Sequence, residues 1–276
     1  MARRARLDAE LVRRGLARSR EQAADLVAQG RVQVRGGTAA KAAAMVDPAD
    51  PVRVTGADPA QEYASRGGYK LAGALAAFAD GGLAGDGAGA GLAVAGRRCL
   101  DAGASTGGFT DVLLRAGAAQ VVAVDVGYGQ LAWALRSDPR VVVHDRTNVR
   151  NLTAEQIGGT VAVTVADLSF ISLRLVLPAL AACTAPDGDL VPMVKPQFEV
   201  GHARVGPRGV VRDPLLRAQA VLDVAQRAAE LGWGLAGVVA SPLPGPSGNV
   251  EFFAWLRRGA PAADPARVHE IVLAAS

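Results

Sequence analysis

Lysine is the scarce basic residue of this chain: Lys41, Lys70 and Lys195 are the lysines among thirty Lys and Arg residues, and the rest are arginine. Arginine supplies charge wherever charge alone is wanted, but its planar fork does not give up a proton. A lysine kept against that bias marks a position that uses a compact ammonium or an exchangeable amine. Cysteine is limited to Cys99 and Cys183, each in an apolar stretch, and His144, His202 and His269 are scattered. There is no Cys-x-x-Cys, which argues against a metal site and a disulfide scaffold, and buried free thiols fit a reducing cytoplasm. Aromatics are few, at 4%. The basic start has no apolar run behind it, so no secretory signal is expected. The most apolar window, 160–183, is interrupted by Asp167, Arg174 and Pro178. It reads as a buried strand and helix and not as a membrane span.

What is present is ample core material, with 50% apolar residues in 276, and an uneven charge. Residues 1–36 hold nine arginines against Asp8, Glu10, Glu21 and Asp25, while the whole chain is only +4. A basic head on a near-neutral body points to an anionic partner. The head shows helical periodicity around Leu7, Leu11 and Val12, ended by Gly15. Ser19 reads as the N-cap of a helix over 20–28, with Gln22 as its capping-box partner. Gly30 stops that helix, residues 31–35 alternate in strand fashion, and 52–55 form a later strand. The pattern Arg6-Leu-Asp, Gly15-Leu-Ala-Arg-Ser-Arg, Gly30-Arg-Val-Gln-Val-Arg-Gly, with Lys41 ahead of Val46, resembles the S4-type RNA-binding domain. That resemblance implies a small α+β domain over 1–60, with Arg4, Arg6, Arg14, Arg18, Arg20, Arg31 and Lys41 facing RNA. A linker is expected at 61–64 and the catalytic domain over 65–276. The Gly/Ala-rich stretch 80–96 reads as a loop.

From Arg97 onward strand and helix patterns alternate, which predicts a mostly parallel sheet covered on both faces. Strands are expected near 98–101, 120–125, 141–144, 161–166, 188–194, 235–240 and 249–256. Helices are expected near 107–117, 130–136, 172–183 and 213–231, with an earlier one at 69–79. Asp101-Ala-Gly103-Ala-Ser105-Thr-Gly107-Gly108-Phe109 is a strand that ends in a glycine turn and opens a helix, and helix N-termini carry unpaired N–H groups. The second strand ends at Asp125, where a doubly wound sheet grips ribose hydroxyls. The spacing Gly-x-x-x-Gly-Gly departs from the dinucleotide fingerprint, and no Gly-Lys-Ser/Thr follows to make a P-loop. The pattern resembles the S-adenosylmethionine site of class I, Rossmann-like methyltransferases. Asp101, Gly103, Ser105, Gly107, Gly108, Phe109 and Asp125 are therefore its expected cofactor residues. Residues 144–148 end the third strand, where adenine is usually met.

Lys70, Asp167, Lys195 and Glu251 lie at element ends that meet over the cofactor in such a fold, and their order resembles the tetrad of FtsJ-type ribose 2′-O-methyltransferases. The composition suits the chemistry. A ribose hydroxyl is a poor nucleophile that needs positioning, a proton acceptor and nearby positive charge. Lys195 is the expected acceptor, with Asp167 positioning it and Lys70 and Glu251 steering the hydroxyl. Asp167 is followed by Leu-Ser-Phe-Ile, which departs from the Pro-Pro-aromatic motif of amine methylation. Taken together, Ser65-Arg-Gly-Gly-Tyr-Lys-Leu, Asp101 to Asp111, Asp167-Leu-Ser-Phe-Ile-Ser-Leu, Val194-Lys-Pro-Gln-Phe-Glu and Gly248-Asn-Val-Glu-Phe-Phe resemble the TlyA, or haemolysin A, family. The resemblance implies a cytoplasmic cytidine-2′-O-methyltransferase acting on ribosomal RNA of the large subunit and, in some members, of the small subunit. It implies a seven-stranded methyltransferase domain behind the S4-type head, S-adenosylmethionine as cofactor, and no metal or membrane. Two other readings stay open: a ribosome-assembly factor with an inactive methyltransferase fold, and a haemolysin, which only the family's older name favours.

Overall fold

A computed structural model describes residues 4–17, 19–55, 63–81 and 91–275. Arg18, residues 61 and 62 of the linker and residues 82–90 of the 80–96 stretch lie outside the described residues. The chain divides into two compact units, residues 1–66 and 67–276.

In the first unit β1 (Ala5–Arg6) leads into α1 (Leu7–Arg13), followed by α2 (Arg20–Ala28), β2 (Val32–Val34), β3 (Gly37–Thr38), β4 (Met45–Val46) and β5 (Val52–Val54). β1 pairs with β4, and β2 lies between β3 and β5, all antiparallel. Leu7, Leu11, Ala23, Leu26, Val27 and Val32 form the core. The Ser19 hydroxyl accepts the Gln22 amide at 3.1 Å, so the cap is where the sequence predicts it. Two acids are buried here and clamped by arginine. Asp8 takes Arg6 at 2.8 Å and Arg20 at 3.1 Å. Hydrogen bonding to Arg6 and then Arg20 holds its carboxyl well below the usual range despite burial. Glu10, 1% exposed, takes Arg13 and Arg14 at 2.6 Å each.

The second unit runs α3 (Gly67–Phe78), β6 (Arg98–Ala102), α4 (Gly108–Arg115), β7 (Gln120–Val124), α5 (Trp133–Arg136), β8 (Val141–His144), β9 (Val161–Ala166), α6 (Leu173–Cys183), β10 (Thr184–Val194), α7 (Pro196–Glu199), α8 (Pro214–Glu230), β11 (Gly234–Ala240), β12 (Phe252–Arg257) and α9 (Pro265–Ala274). The sheet order is β11-β12-β10-β9-β6-β7-β8. β12 is antiparallel to both neighbours and the other pairings are parallel. β7 and β8 lie on one side of β6 and β9 on the other, so the order reverses between β6 and β9. Such a switch point opens a crevice at the carboxyl ends of the strands. α6, α8 and α9 bury Leu173, Leu177, Leu180, Val221, Val224, Val268 and Val272 in the main core. α3 packs against α4 and β11, and its Phe78 ring lies 5.5 Å from Trp255 of β12. At the far end of the sheet, buried Asp189 binds Arg97 at 2.6 Å, Arg257 at 2.9 Å and the Trp255 indole N–H at 2.7 Å.

The predicted strands and helices correspond to these elements, but α7, α9, β1, β3 and β4 are additions. The last strand begins later than predicted, at Phe252, because Asn249 turns away to bind the Val211 amide and the Gly209 carbonyl.

Arg13 and then Arg14 hold the Glu10 carboxyl down to about 2. The folded value is below the unfolded one near 4.3, so this stabilisation is present above that pH and is lost as pH falls toward 2. Glu10→Gln lowers amide hydrogen-exchange protection across residues 7–28 by about 1–2 kcal/mol at pH 7, after discounting the exposed Arg13. It also flattens the acid dependence; unchanged protection contradicts the assignment.

Candidate active site

Strand register brings the four predicted residues to one edge of the sheet. Val194 pairs with Phe252 across the antiparallel β10–β12 ladder, so Lys195 and Glu251, one residue beyond each, leave at the same end. Pro192 pairs with Ala166 and Ala102 with Ala166, which sets Asp167 between Lys195 and the turn after β6. Lys70 arrives from α3, one turn into the helix.

The groups form two ion pairs. The Lys70 Nζ donates to Glu251 Oε2 at 2.5 Å, with the two side chains 8% and 1% exposed. The Lys195 Nζ lies 2.6 Å from Asp167 Oδ1, with side-chain exposures of 10% and 25%, and donates to the Ser169 hydroxyl at 3.1 Å. The second contact is charge proximity more than an aligned hydrogen bond, since Asp167 Oδ1 lacks a partner of proper geometry. Removing one member of a buried pair strands the other charge, at about 3–5 kcal/mol. The Lys70–Glu251 pair is dry and closed, whereas the Lys195–Asp167 pair is the more open of the two.

The glycine turn lies beside them. Gly103 has φ +90°, and a Cβ there would come within 2.4 Å of the Asp167 carbonyl oxygen. Gly107, at φ +99°, precedes α4 and would meet Leu135 and Leu131 in the same way. These glycines therefore fit the turn against the chain itself, where ligand approach alone is the sequence expectation. Ser105 also has positive φ, at 46°. Its N–H donates to Asp125 Oδ2 at 2.8 Å, and Gly127 N–H donates to Oδ1 at 2.7 Å. Asp125 is half-buried, and each carboxylate oxygen can accept a further hydrogen bond. Gly108 and Phe109 open α4, and the Phe109 ring packs 5.9 Å from Phe253, tying the turn to β12. Asp101 is fully buried; its Oδ2 accepts the Thr110 hydroxyl at 2.7 Å, and its Oδ1 has no partner. Burial first, then the negative Asp167, pushes its carboxyl up to about 7. An unpartnered buried acceptor beside a turn fits a cationic ligand group, such as the ammonium that the S-adenosylmethionine expectation requires. In the 144–148 segment, Asp145 binds Arg136, and Arg146 lies over the Tyr128 ring at 4.4 Å.

Two residues of weight were missed from sequence. Phe170 is 92% exposed with φ +64°, and its ring lies 5.4 Å from Phe198. An aromatic three residues after a candidate tetrad acid is a readable signal. Glu199 is 3% exposed, and nothing in the sequence marks it as buried. In the first unit, Arg4 and Lys41 are exposed, Arg6 and Arg20 extend into solvent from Asp8, and Arg31 Nε donates to the Thr55 carbonyl at 3.1 Å. Arg14 spans Glu10 and the carbonyls of Asp50 and Pro48, so these donors serve the fold. Among the described residues no cluster of His, Cys, Asp and Glu could hold a metal ion, and no helix is long and apolar enough to cross a membrane.

Asp101 yields a signed pH prediction. Its folded value exceeds its unfolded one, so stability falls as pH rises from about 4 to about 7, by roughly 3–4 kcal/mol. Asp101→Asn removes that slope and is the more stable protein at pH 8 in urea unfolding followed by tryptophan fluorescence; a slope retained in the variant contradicts the assignment.

The S4 domain model matches residues 5–52 and the FtsJ-like methyltransferase model residues 63–258. A Mycobacterium tuberculosis protein named 16S/23S rRNA (cytidine-2′-O)-methyltransferase TlyA is 64% identical over 93% of this chain and 91% of its own. Hemolysin A of Brachyspira hyodysenteriae is 34% identical over 90% of this chain and 98% of its own. A solved Streptococcus thermophilus structure, also named a hemolysin, superposes with TM-score 0.76 at 37% identity, covering 100% of this chain and 96% of that one. With the sheet, the glycine turn and the paired lysines in place, these matches show that the chain belongs to the FtsJ-like methyltransferases and, within them, to the TlyA family.

Proposed function

We propose that this protein transfers a methyl group from S-adenosylmethionine to the 2′-hydroxyl of a cytidine in ribosomal RNA. The substrate is the large subunit and, as in the name of the Mycobacterium tuberculosis relative, 16S RNA as well. The observation that carries the reading is the double pairing of Lys70 with Glu251 and Lys195 with Asp167 beside the glycine turn. When bound, the cofactor supplies an electrophilic methyl on a sulfonium, so the protein's task is alignment and proton removal. Asp101 Oδ1 would receive the cofactor's ammonium, and Asp125 its ribose hydroxyls, with the backbone of Gly103, Ser105, Gly107, Gly108 and Phe109 shaping the seat. Lys195, once it has passed its own proton to solvent, is the proton acceptor, because its pair is the one open to an incoming hydroxyl. Asp167 and Ser169 aim its nitrogen, and Lys70 with Glu251 steers the hydroxyl. The exposed Phe170 ring offers a face for a base, since stacking accepts any π-surface.

In this reading residues 1–60 bind RNA, residues 61–64 connect and residues 65–276 catalyse, and the protein works in the cytoplasm where ribosomal subunits are found. Arg4, Arg6, Arg20, Arg31 and Lys41 meet phosphates, while Arg14 serves the fold. Lys195→Ala abolishes transfer of labelled methyl to ribosomal subunits and leaves cofactor affinity within a few-fold; wild-type turnover in that variant refutes its role. Tight subunit binding by a wild-type protein that transfers no label favours the assembly-factor reading. Arg20→Ala and Lys41→Ala each lower the slope of log binding constant against log salt by about one; an unchanged slope removes that residue from the RNA face.

A further inference from the structure

The loop after β9 is laced to α7 along its length. Lys195 meets Asp167 at 2.6 Å and Ser169 at 3.1 Å. Phe198 meets Phe170 ring to ring. Glu199 meets the end of the loop: its Oε2 accepts the Ser172 hydroxyl at 2.6 Å, and its Oε1 accepts the Leu173 amide at 2.7 Å. Arg174 adds an ion pair to the carboxylate at 3.4 Å and a bond to the Glu199 carbonyl at 3.1 Å. Ser172 is also the N-cap of α6, so one carboxylate fixes both the loop and the helix it enters. Inside this lacing Phe170 holds a left-handed φ that a bulky residue adopts only when its surroundings over-determine it, at about 1–3 kcal/mol. Burial raises the Glu199 carboxyl above its usual value.

We infer that Glu199 is a positioning residue for methyl transfer: it clamps the 167–173 loop so that Asp167 and Ser169 aim Lys195 and Phe170 stays presented. The inference rests on the methyl-transfer reading above. Without the clamp the strained loop relaxes, and a shift of about 1 Å in a reacting array costs up to 10²-fold in rate.

The full-length protein is assayed with labelled S-adenosylmethionine and ribosomal subunits, beside hydrogen exchange of residues 167–173. Glu199→Ala lowers kcat at least tenfold, with KM for RNA and cofactor affinity within threefold of wild type, and loop exchange accelerates. Glu199→Gln, which keeps an acceptor for Leu173 and a polar partner for Ser172, recovers kcat to within threefold. If Glu199→Ala fails to fold, Ser172→Ala takes its place, and a kcat loss of about threefold or more is expected. A kcat retained by the folded variant, no recovery in Glu199→Gln, or unchanged loop exchange overturns the clamp. A wild-type protein that transfers no methyl overturns the functional reading instead, and loop exchange still decides the clamp.

Discussion

An ammonium taken out of water must be met by a carboxylate, and the edge of the sheet where the two lysines gather is organised around that requirement. Two lysines enter a largely desolvated crevice, and each is neutralised by an acid from a different element: Lys70 of α3 by Glu251 before β12, and Lys195 after β10 by Asp167 after β9. Neither pair is local in sequence. The first joins residues 181 positions apart, so it forms only once α3 is seated through Phe78 on Trp255. Buried pairs seldom add net stability. Their value here is geometric, because a charge that must be matched can sit in few places. The antiparallel β12 supplies the decisive register, since it alone brings a chain segment back to the same edge as the parallel strands.

Arginine in the first unit divides into two roles by the same electrostatic logic. Glu10 and Asp8 are buried and consume donors from Arg13, Arg14, Arg6 and Arg20. Arg14, 20% exposed, binds Glu10 and the backbone carbonyls of Asp50 and Pro48. Arg6 and Arg20 share Asp8 and still reach solvent, so they are braced and available at once. A basic head is thus a smaller contact surface than its arginine count implies, but a stiffer one.

Sequence patterns carried most of the sheet, because strands of a parallel sheet are short apolar runs whose ends fall at chemically marked residues: Asp101, Asp125, Asp167 and Lys195. Asp167 and Lys195 stand out as candidates for that reason, and Lys70 for the scarcity of its type. The residues proposed to meet RNA stand out only as charge. Whether an arginine serves an internal acid depends on contacts such as Arg14 to Asp50, 36 residues away, which no local pattern encodes. Glu199 was invisible because acids are normally solvated, and its burial follows from the packing of α7 on the loop before α6. The start of β12 was misplaced because Asn249 looks like strand but spends its amide on the 209–211 loop.

In the proposed reaction the paired lysines act on a ribose hydroxyl and not on a base. Ribosomal RNA that lacks the modification, treated with the protein and S-adenosylmethionine, digested to nucleosides and resolved by mass spectrometry, tests it most directly. The account predicts 2′-O-methylcytidine, with the added mass on the sugar fragment. A methyl found on a base fragment, or RNA left unmodified by the intact protein, contradicts it.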